Sequence, residues 1–442
     1  PAQAAPVALG GFHPAENCAD CHADIVAQWR ESMHHHAVTS PVTIVQTNQV
    51  YRQNLLNEDS PDPQLICNNC HAPVGVLLTG QDIATLPLPE VNTYATNDGI
   101  DCATCHQFTG TPTDGLAGSA TYQDDLRPGR VFVGGLEDPV GNSYHQSQHN
   151  PRFDAPETTC KSCHNVMLDR NGDGRNDDAG IDLVLQTTFR EFEQEYAGTE
   201  TCVTCHMPLT SSTRLAETAG IPRQQDHTAP PREVRSHAFV GVDYPLDTVS
   251  ISDPQKADRA ALLKSAAIFS IDETSGLFAD DQFSFDVLID NNNLGHKLPT
   301  GFAFARQMWV EIIVTDSAGN EIFTSGVLAT PTDDLCDTET LTDAMAEFVI
   351  GCDAPDPQLV NLQQKLVDDV AALRDAGGNL VRDDYGNTIG IQAPTGKETP
   401  LQNLNGGAVA RTRPSDGQVL ARISPTNDQR RFTYTIDLSD VE

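Results

Sequence analysis

The pattern of apolar and polar positions changes character near residue 245. Before it, clean periodicity is scarce and Pro, Gly, Asn and Asp interrupt the chain often, which predicts short helices and loops with little regular structure. Ala23 to Met33 reads as one such helix, with Ile25, Val26 and Trp29 on one side, and Thr187 to Tyr196 reads as another. Beyond residue 245, Asp253-Pro254 opens a short helix running through Phe269, with Asp253 as its N-cap. Phe283, Phe285, Val287 and Ile289 alternate with Ser284, Asp286 and Asp290, the period of a half-buried strand. Val310, Ile312 and Val314 form a second strand, turned by Asp316-Ser317-Ala318-Gly319-Asn320 into a third at Glu321-Ile322-Phe323. Phe432, Tyr434, Ile436 and Leu438 alternate with Thr433, Thr435 and Asp437 at the end of the chain. Leu362, Leu366, Val370 and Leu373 share one face of an amphipathic helix that stops at Gly377. Two domains are expected: residues 1–245, poor in regular structure, and residues 246–442, a mainly-β, sandwich-like domain with a helical insertion.

At 442 residues the chain is long enough for two hydrophobic cores. No apolar run of about eighteen residues occurs, so a membrane span is not expected. The opening PAQAAPVALGG has neither the basic n-region nor the apolar h-region of a signal peptide. Charge excludes one class of partner. With 27 Lys and Arg against 62 Asp and Glu, the formal net charge is −35, a field that repels nucleic acid and anionic membranes and suits cationic partners or a saline medium.

Cysteine carries the chemistry. Of 12 cysteines, ten fall into five copies of one spacing: Cys18-Ala-Asp-Cys21-His22, Cys67-Asn-Asn-Cys70-His71, Cys102-Ala-Thr-Cys105-His106, Cys160-Lys-Ser-Cys163-His164 and Cys202-Val-Thr-Cys205-His206. About 0.01 such matches would arise by chance at this composition. C-x-x-C-H is the attachment motif of c-type haem: the thiols add to the haem vinyl groups as thioethers, and the histidine is thereby set under the iron as proximal ligand. A zinc knuckle would combine the pairs into four-ligand sets, and neither zinc nor a thioredoxin-like redox pair explains a histidine after every pair. Five covalent haems would also explain the missing periodicity, because the haems themselves would form the apolar core of residues 1–245.

The remaining histidines are candidate distal ligands. They are His13, His34, His35, His36, His145, His149, His227, His237 and His296, and only His296 lies beyond position 237. Bis-histidine ligation closes both faces of a haem and gives a low potential, which suits electron transfer. Met33 and Met207 lie near haem motifs, where packing is their plainer role. His149 follows His145 by four residues, so on a helical turn the two would face the same way and serve neighbouring haems.

Two further features stand apart. Cys336 and Cys352 lie outside the haem motifs, and because covalent haem implies assembly outside the cytoplasm, a Cys336–Cys352 disulfide is expected. The segment from Asp169 to Asp178 repeats the first half of an EF-hand loop, with oxygens at positions one, three and five and glycine at six. Candidate ligands for one Ca²⁺ are Asp169, Asn171, Asp173, Arg175, Asp177, Asp178 and Asp182, because Gly180 stands where a bidentate Glu belongs.

Strings flanking the motifs resemble the multihaem cytochromes that accept electrons from hydroxylamine oxidoreductase. They are Trp29-Arg30-Glu31-Ser32-Met33-His34, Tyr144-His145-Gln146-Ser147, Cys202-Val203-Thr204-Cys205-His206-Met207-Pro208, Arg235-Ser236-His237-Ala238-Phe239 and Gly295-His296-Lys297-Leu298-Pro299-Thr300-Gly301. The resemblance implies His34, His145 and His237 as distal ligands and adds His296 as a fourth, with His149 the nearest candidate for the fifth place. The layout is also similar to extracellular cytochrome filaments, in which a histidine of one subunit can ligate a haem of the next. His13 or His36 would suit that role, and His227 is a further candidate. The expectation is an extracytoplasmic pentahaem electron carrier, with redox proteins or identical subunits of a homopolymer as partners. The rival is a reductase of nitrite, hydroxylamine or a sulfur oxyanion with one open iron; no C-x-x-C-K variant marks such a haem. The motifs predict five haems per chain by pyridine haemochrome against protein concentration, and four or fewer would break that reading.

Overall fold

The computed structural model describes residues 14–44, 70–74, 98–107, 131–140, 145–168, 183–186, 188–196, 198–212, 231–243, 245, 251–292, 294–303, 306, 308–328, 356, 358–362, 364–367, 407–412, 419–420 and 429–439. His13, Cys67, Tyr144, His227, Cys336, Cys352, Val370, Leu373 and Gly377 lie outside these residues, as do the calcium candidates Asp169, Asn171, Asp173, Arg175, Asp177, Asp178 and Asp182. Among the described residues the α-helices are α1 (Ala23–Arg30), α2 (Cys102–His106), α3 (Pro156–Lys161), α4 (Thr188–Glu195), α5 (Cys202–His206) and α6 (Asp253–Ala266). The chain divides into two compact units, Pro1–Cys163 with Thr199–Lys264, and His164–Gly198 with Ser265–Glu442. Among the described residues no helix is long and apolar enough to cross a membrane.

The first unit has short helices and little sheet, as its pattern predicts. Helix α1 buries Val26 and Trp29, and the Trp29 indole N–H donates to the Ile100 carbonyl at 2.8 Å. The Ile100 N–H in turn donates to the His34 carbonyl at 2.9 Å, which seats residues 98–100 against the histidine triplet. Gly99 makes this approach possible: its φ is +64°, and a Cβ there would stand 2.7 Å from the His35 carbonyl oxygen and closer still to that of His34. The helix ends at Arg30, three residues before the expected Met33, and the Ser32 hydroxyl caps the Trp29 carbonyl at 2.7 Å. Strands β1 (Val131–Gly134) and β2 (Gln146–His149) pair in parallel. The expected helical turn from His145 to His149 is therefore strand; a spacing of four puts both residues on one side in either geometry.

The second unit is rich in antiparallel strands. Strands β3 (Val166–Leu168) and β4 (Leu183–Gln186) form one pair. Strand β5 (Ala267–Ala279) lies against β6 (Gln282–Asn291), and further along the chain come β7 (Met308–Trp309), β8 (Ile312–Thr315), β9 (Glu321–Ser325), β10 (Asn361–Leu362), β11 (Gln364–Val367), β12 (Gly407–Thr412), β13 (Val419–Leu420) and β14 (Arg430–Asp437). The sheet order β14-β6-β5 aligns Phe432 with Val287 and Tyr434 with Phe285, so the alternating residues of two distant strands meet on one buried face. Val310, Ile312, Val360 and Leu362 pack against that face. The expected hairpin forms between β8 and β9, where the Asp316 carboxylate accepts from the Ala318 and Asn320 N–H groups at 2.8 Å each and Gly319 takes φ +90°.

Three further expectations need correction. Leu362 and Leu366 belong to strands β10 and β11, not to a helix, because a spacing of four residues repeats in both the helical and the strand period. Helix α6 is capped by Ser252, whose hydroxyl accepts from the Gln255 N–H at 3.3 Å, while Asp253 is its first residue. It also stops at Ala266, and Ala267 to Phe269 begin β5, whose side chains are exposed on both faces and so lack the alternation that marks a strand.

The core makes a direct prediction. Ile436→Ala removes a side chain 1 % exposed in the main cluster and should cost about 2–5 kcal/mol. Ile268→Ala, at 51 % exposure on β5, should cost below about 0.5 kcal/mol in the same denaturant titration. Equal losses would contradict this placement of the core.

Candidate haem centres

Each C-x-x-C-H string works as one turn of helix, because positions i, i+3 and i+4 then share a side. Helices α2 and α5 are such turns in full. Both are capped from the sequence: the Asp101 carboxylate accepts from the Thr104 N–H and hydroxyl at 2.9 Å each, and Thr201 with Thr204 forms a reciprocal capping box. Among the described residues the motif cysteines Cys18, Cys21, Cys70, Cys102, Cys105, Cys160, Cys163, Cys202 and Cys205 form no disulfide with one another. Burial pushes the Cys105 thiol up to about 11. In the first unit the motifs lie beside one another. The Cys18 thiol neighbours that of Cys102, the Cys160 thiol neighbours that of Cys202, and the Cys70 thiol lies 4.0 Å from the Ser162 carbonyl.

The histidine rings are oriented by their second nitrogen. Nδ1 of His71 lies 2.7 Å from the Ala37 carbonyl oxygen, that of His106 2.7 Å from Val133, and that of His206 2.6 Å from Val240. In the second unit His164 Nδ1 meets the Gln186 carboxamide at 3.1 Å. A carbonyl acceptor fixes the proton on Nδ1 and leaves the Nε2 lone pair for a metal, the arrangement seen around metal-bound imidazoles. Burial lowers the pKa of His71, and brings that of His106 down to about 4, so these rings are neutral near pH 7.

Ring spacing supplies the second test. His22 and His145 have centroids 6.4 Å apart, and His106 and His237 likewise 6.4 Å. Two imidazoles bonded to one iron at about 2 Å each would hold their centroids about 6.3 Å apart. The His237 Nδ1 lies 3.0 Å from the Arg235 carbonyl, His145 Nδ1 3.2 Å from the Ser147 hydroxyl, and burial lowers both rings' pKa. The residues present thus fit haem c: paired thiols, His71 and His106 rings kept neutral by burial, and two pairs of rings at the separation one iron needs.

The other candidates fall in different surroundings. His34 packs its ring 4.2 Å from that of Phe239, and His35 packs 4.3 Å from Trp29. His36 is 7 % exposed; its Nε2 lies 3.1 Å from the Arg30 carbonyl and its Nδ1 3.4 Å from the Thr39 hydroxyl. His149 turns Nε2 to the Asp154 carboxylate at 2.9 Å. In the second unit His296 has Nδ1 2.9 Å from the Lys297 carbonyl, and the fully buried Glu191 of α4 holds the following loop by accepting from the Lys297 N–H at 3.0 Å and the Thr300 hydroxyl at 2.7 Å. Glu191, Gln186 and the three carbonyls Ala37, Val133 and Val240 carry no motif, and nothing in the sequence marks them.

Residues 17–107 match the family described as cytochrome c554 and c-prime. No curated protein matches the chain. Among solved structures, a penta-heme cytochrome c552 from Thermochromatium tepidum is similar, with a TM-score of 0.52 and 18 % identity, covering 97 % of this chain and 88 % of that one. That identity speaks to the fold. Motifs, family match and fold agree on a multihaem c-type cytochrome.

A pH effect follows from the seat of the third motif. Burial, reinforced by Asp101, pushes Asp98 from 3.8 up to about 6, although its carboxylate accepts from the Ala15 N–H at 3.4 Å. An acid raised in the folded state stabilises the fold fully below its unfolded pKa and loses that contribution as pH rises through the folded one. Asp98→Asn keeps an acceptor without the charge. It should therefore raise stability at pH 7 by on the order of 2 kcal/mol and give no gain below pH ~4 in denaturant titrations. A gain independent of pH would show that the charge is not the cause.

Proposed function

We propose that the chain is a pentahaem c-type cytochrome that transfers electrons, with its haems closed on both faces by imidazole. The observation that carries this reading is the 6.4 Å separation of His22 from His145 and of His106 from His237. An iron held between two rings offers no position to a substrate. The thioether bonds come from Cys18 and Cys21, Cys67 and Cys70, Cys102 and Cys105, Cys160 and Cys163, and Cys202 and Cys205. The proximal ligands are His22, His71, His106, His164 and His206. His145 then faces His22, His237 faces His106, and His34 and His296 are the next distal ligands. His149 leaves the set because Asp154 engages its Nε2, and His36 is enclosed by Arg30 and Thr39, which favours a structural role over ligation of a neighbouring subunit.

Bound haem supplies a one-electron ferric–ferrous couple. The chain's part is to orient the rings, keep them neutral and exclude water. Carbonyl oxygens of Ala37, Val133 and Val240 hold the Nδ1 protons, and burial keeps His71, His106 and His237 uncharged. Adjacent thiols of Cys18 and Cys102, and of Cys160 and Cys202, would hold the haems of the first and third motifs, and those of the fourth and fifth, side by side, where tunnelling between neighbours would be open to them. The net charge of −35 stabilises ferric iron and favours basic redox partners. On this reading residues 1–245 carry the haems, residues 246–442 form a sandwich-like module, and the protein works outside the cytoplasm, where thioether bonds are made.

Exchange of single histidines tests the assignment. His145→Ala and His237→Ala should each convert one haem in five from low-spin to high-spin, read by EPR and visible absorption, while His149→Ala leaves every haem low-spin. All-low-spin spectra in both of the first two variants would overturn the pairing.

A further inference from the structure

The described proximal rings differ in what holds their second nitrogen. His71, His106 and His206 have backbone carbonyls at 2.6 to 2.7 Å, acceptors that the main chain fixes in place. At His164 the group facing Nδ1 is the carboxamide nitrogen of Gln186, at 3.1 Å. Strand pairing sets this contact: Gln186 lies opposite Val166, two residues past His164, and the Phe189 N–H pins the His164 carbonyl at 2.9 Å. The Gln186 residue is 8 % exposed, so its carboxamide is enclosed rather than solvated. With iron on Nε2, the His164 proton stays on Nδ1, and the carboxamide must turn its oxygen toward it; a rotation of the terminal bond presents the NH₂ end instead. A second observation bears on the same place. A Cβ on Gly301 would lie 3.8 Å from the Gln186 carboxamide nitrogen and 3.6 Å from Nε of Arg306, so a guanidinium shares the space beside Gln186.

Electron density on an axial imidazole rises with the strength of the acceptor at Nδ1, and a more electron-rich ligand favours ferric iron. A neutral, rotatable amide that must turn its oxygen to Nδ1 gives less of this than a fixed backbone carbonyl, and a nearby guanidinium further disfavours the added charge of ferric iron. We infer that Gln186 is a positioning residue for His164 that sets the potential of the haem attached at Cys160 and Cys163, holding it above the value a backbone acceptor would give. This inference rests on His164 being an axial ligand, as proposed above.

Mediated potentiometric titration of the holoprotein reads each iron as a one-electron wave. Gln186→Glu supplies a stronger acceptor and should move one of five waves to lower potential; Gln186→Leu removes the acceptor and should move the same wave upward. Haem count and low-spin spectra should stay as in the parent protein, which separates tuning from misfolding. Shifts of the same sign in both variants, shifts spread over several waves, or no shift would overturn the role of Gln186. His164→Ala distinguishes the two layers: if it leaves every wave and spin state unchanged, the ligand assignment itself fails, whereas loss of one low-spin haem there with silent Gln186 variants sinks only the tuning.

Discussion

An imidazole can give its Nε2 lone pair to a metal only while Nδ1 keeps the proton, and that buried proton needs an acceptor. In the first unit the acceptors come from far along the chain: Ala37 for His71, Val133 for His106, Val240 for His206. Each of these bonds therefore closes a loop of about thirty residues and orients a ring in the same act. The unit's sparse secondary structure follows, because the chain must bring single carbonyls to single rings rather than lay down extended ladders. Gly99 at φ +64°, the Trp29 bond to Ile100 and the Gln28 side chain accepting from the His237 N–H at 2.9 Å fasten the segments between.

The second unit is stabilised differently. Its main sheet pairs residues 282–291 with 430–437, so two strands nearly 150 positions apart bury one continuous face that includes Val287, Phe432 and Tyr434. The same unit holds His164, Gln186 and the loop after His296, which Glu191 ties to helix α4.

Legibility in the sequence followed the period of each signal. The alternations at Phe283–Ile289 and Phe432–Leu438 were readable because one face is buried and the other wet. Strand β5 was not, since its residues are exposed on both sides, and Leu362 with Leu366 misled because a step of four fits a helix and a strand alike. Attachment cysteines and the histidines after them carry a motif tied to covalent chemistry. The acceptors at Nδ1 are mostly backbone atoms, which any residue type can supply, so no sequence pattern encodes them. Histidine identity also does not separate the surroundings of His145 from those of His149, whose Nε2 lies 2.9 Å from the Asp154 carboxylate.

The most direct test of the central claim is the EPR spectrum of the fully oxidised native protein, quantified against its haem content. Closure of every iron by two imidazoles predicts low-spin signals accounting for all of the haem. A high-spin component of about one haem in five would contradict it and point to an iron with an open face.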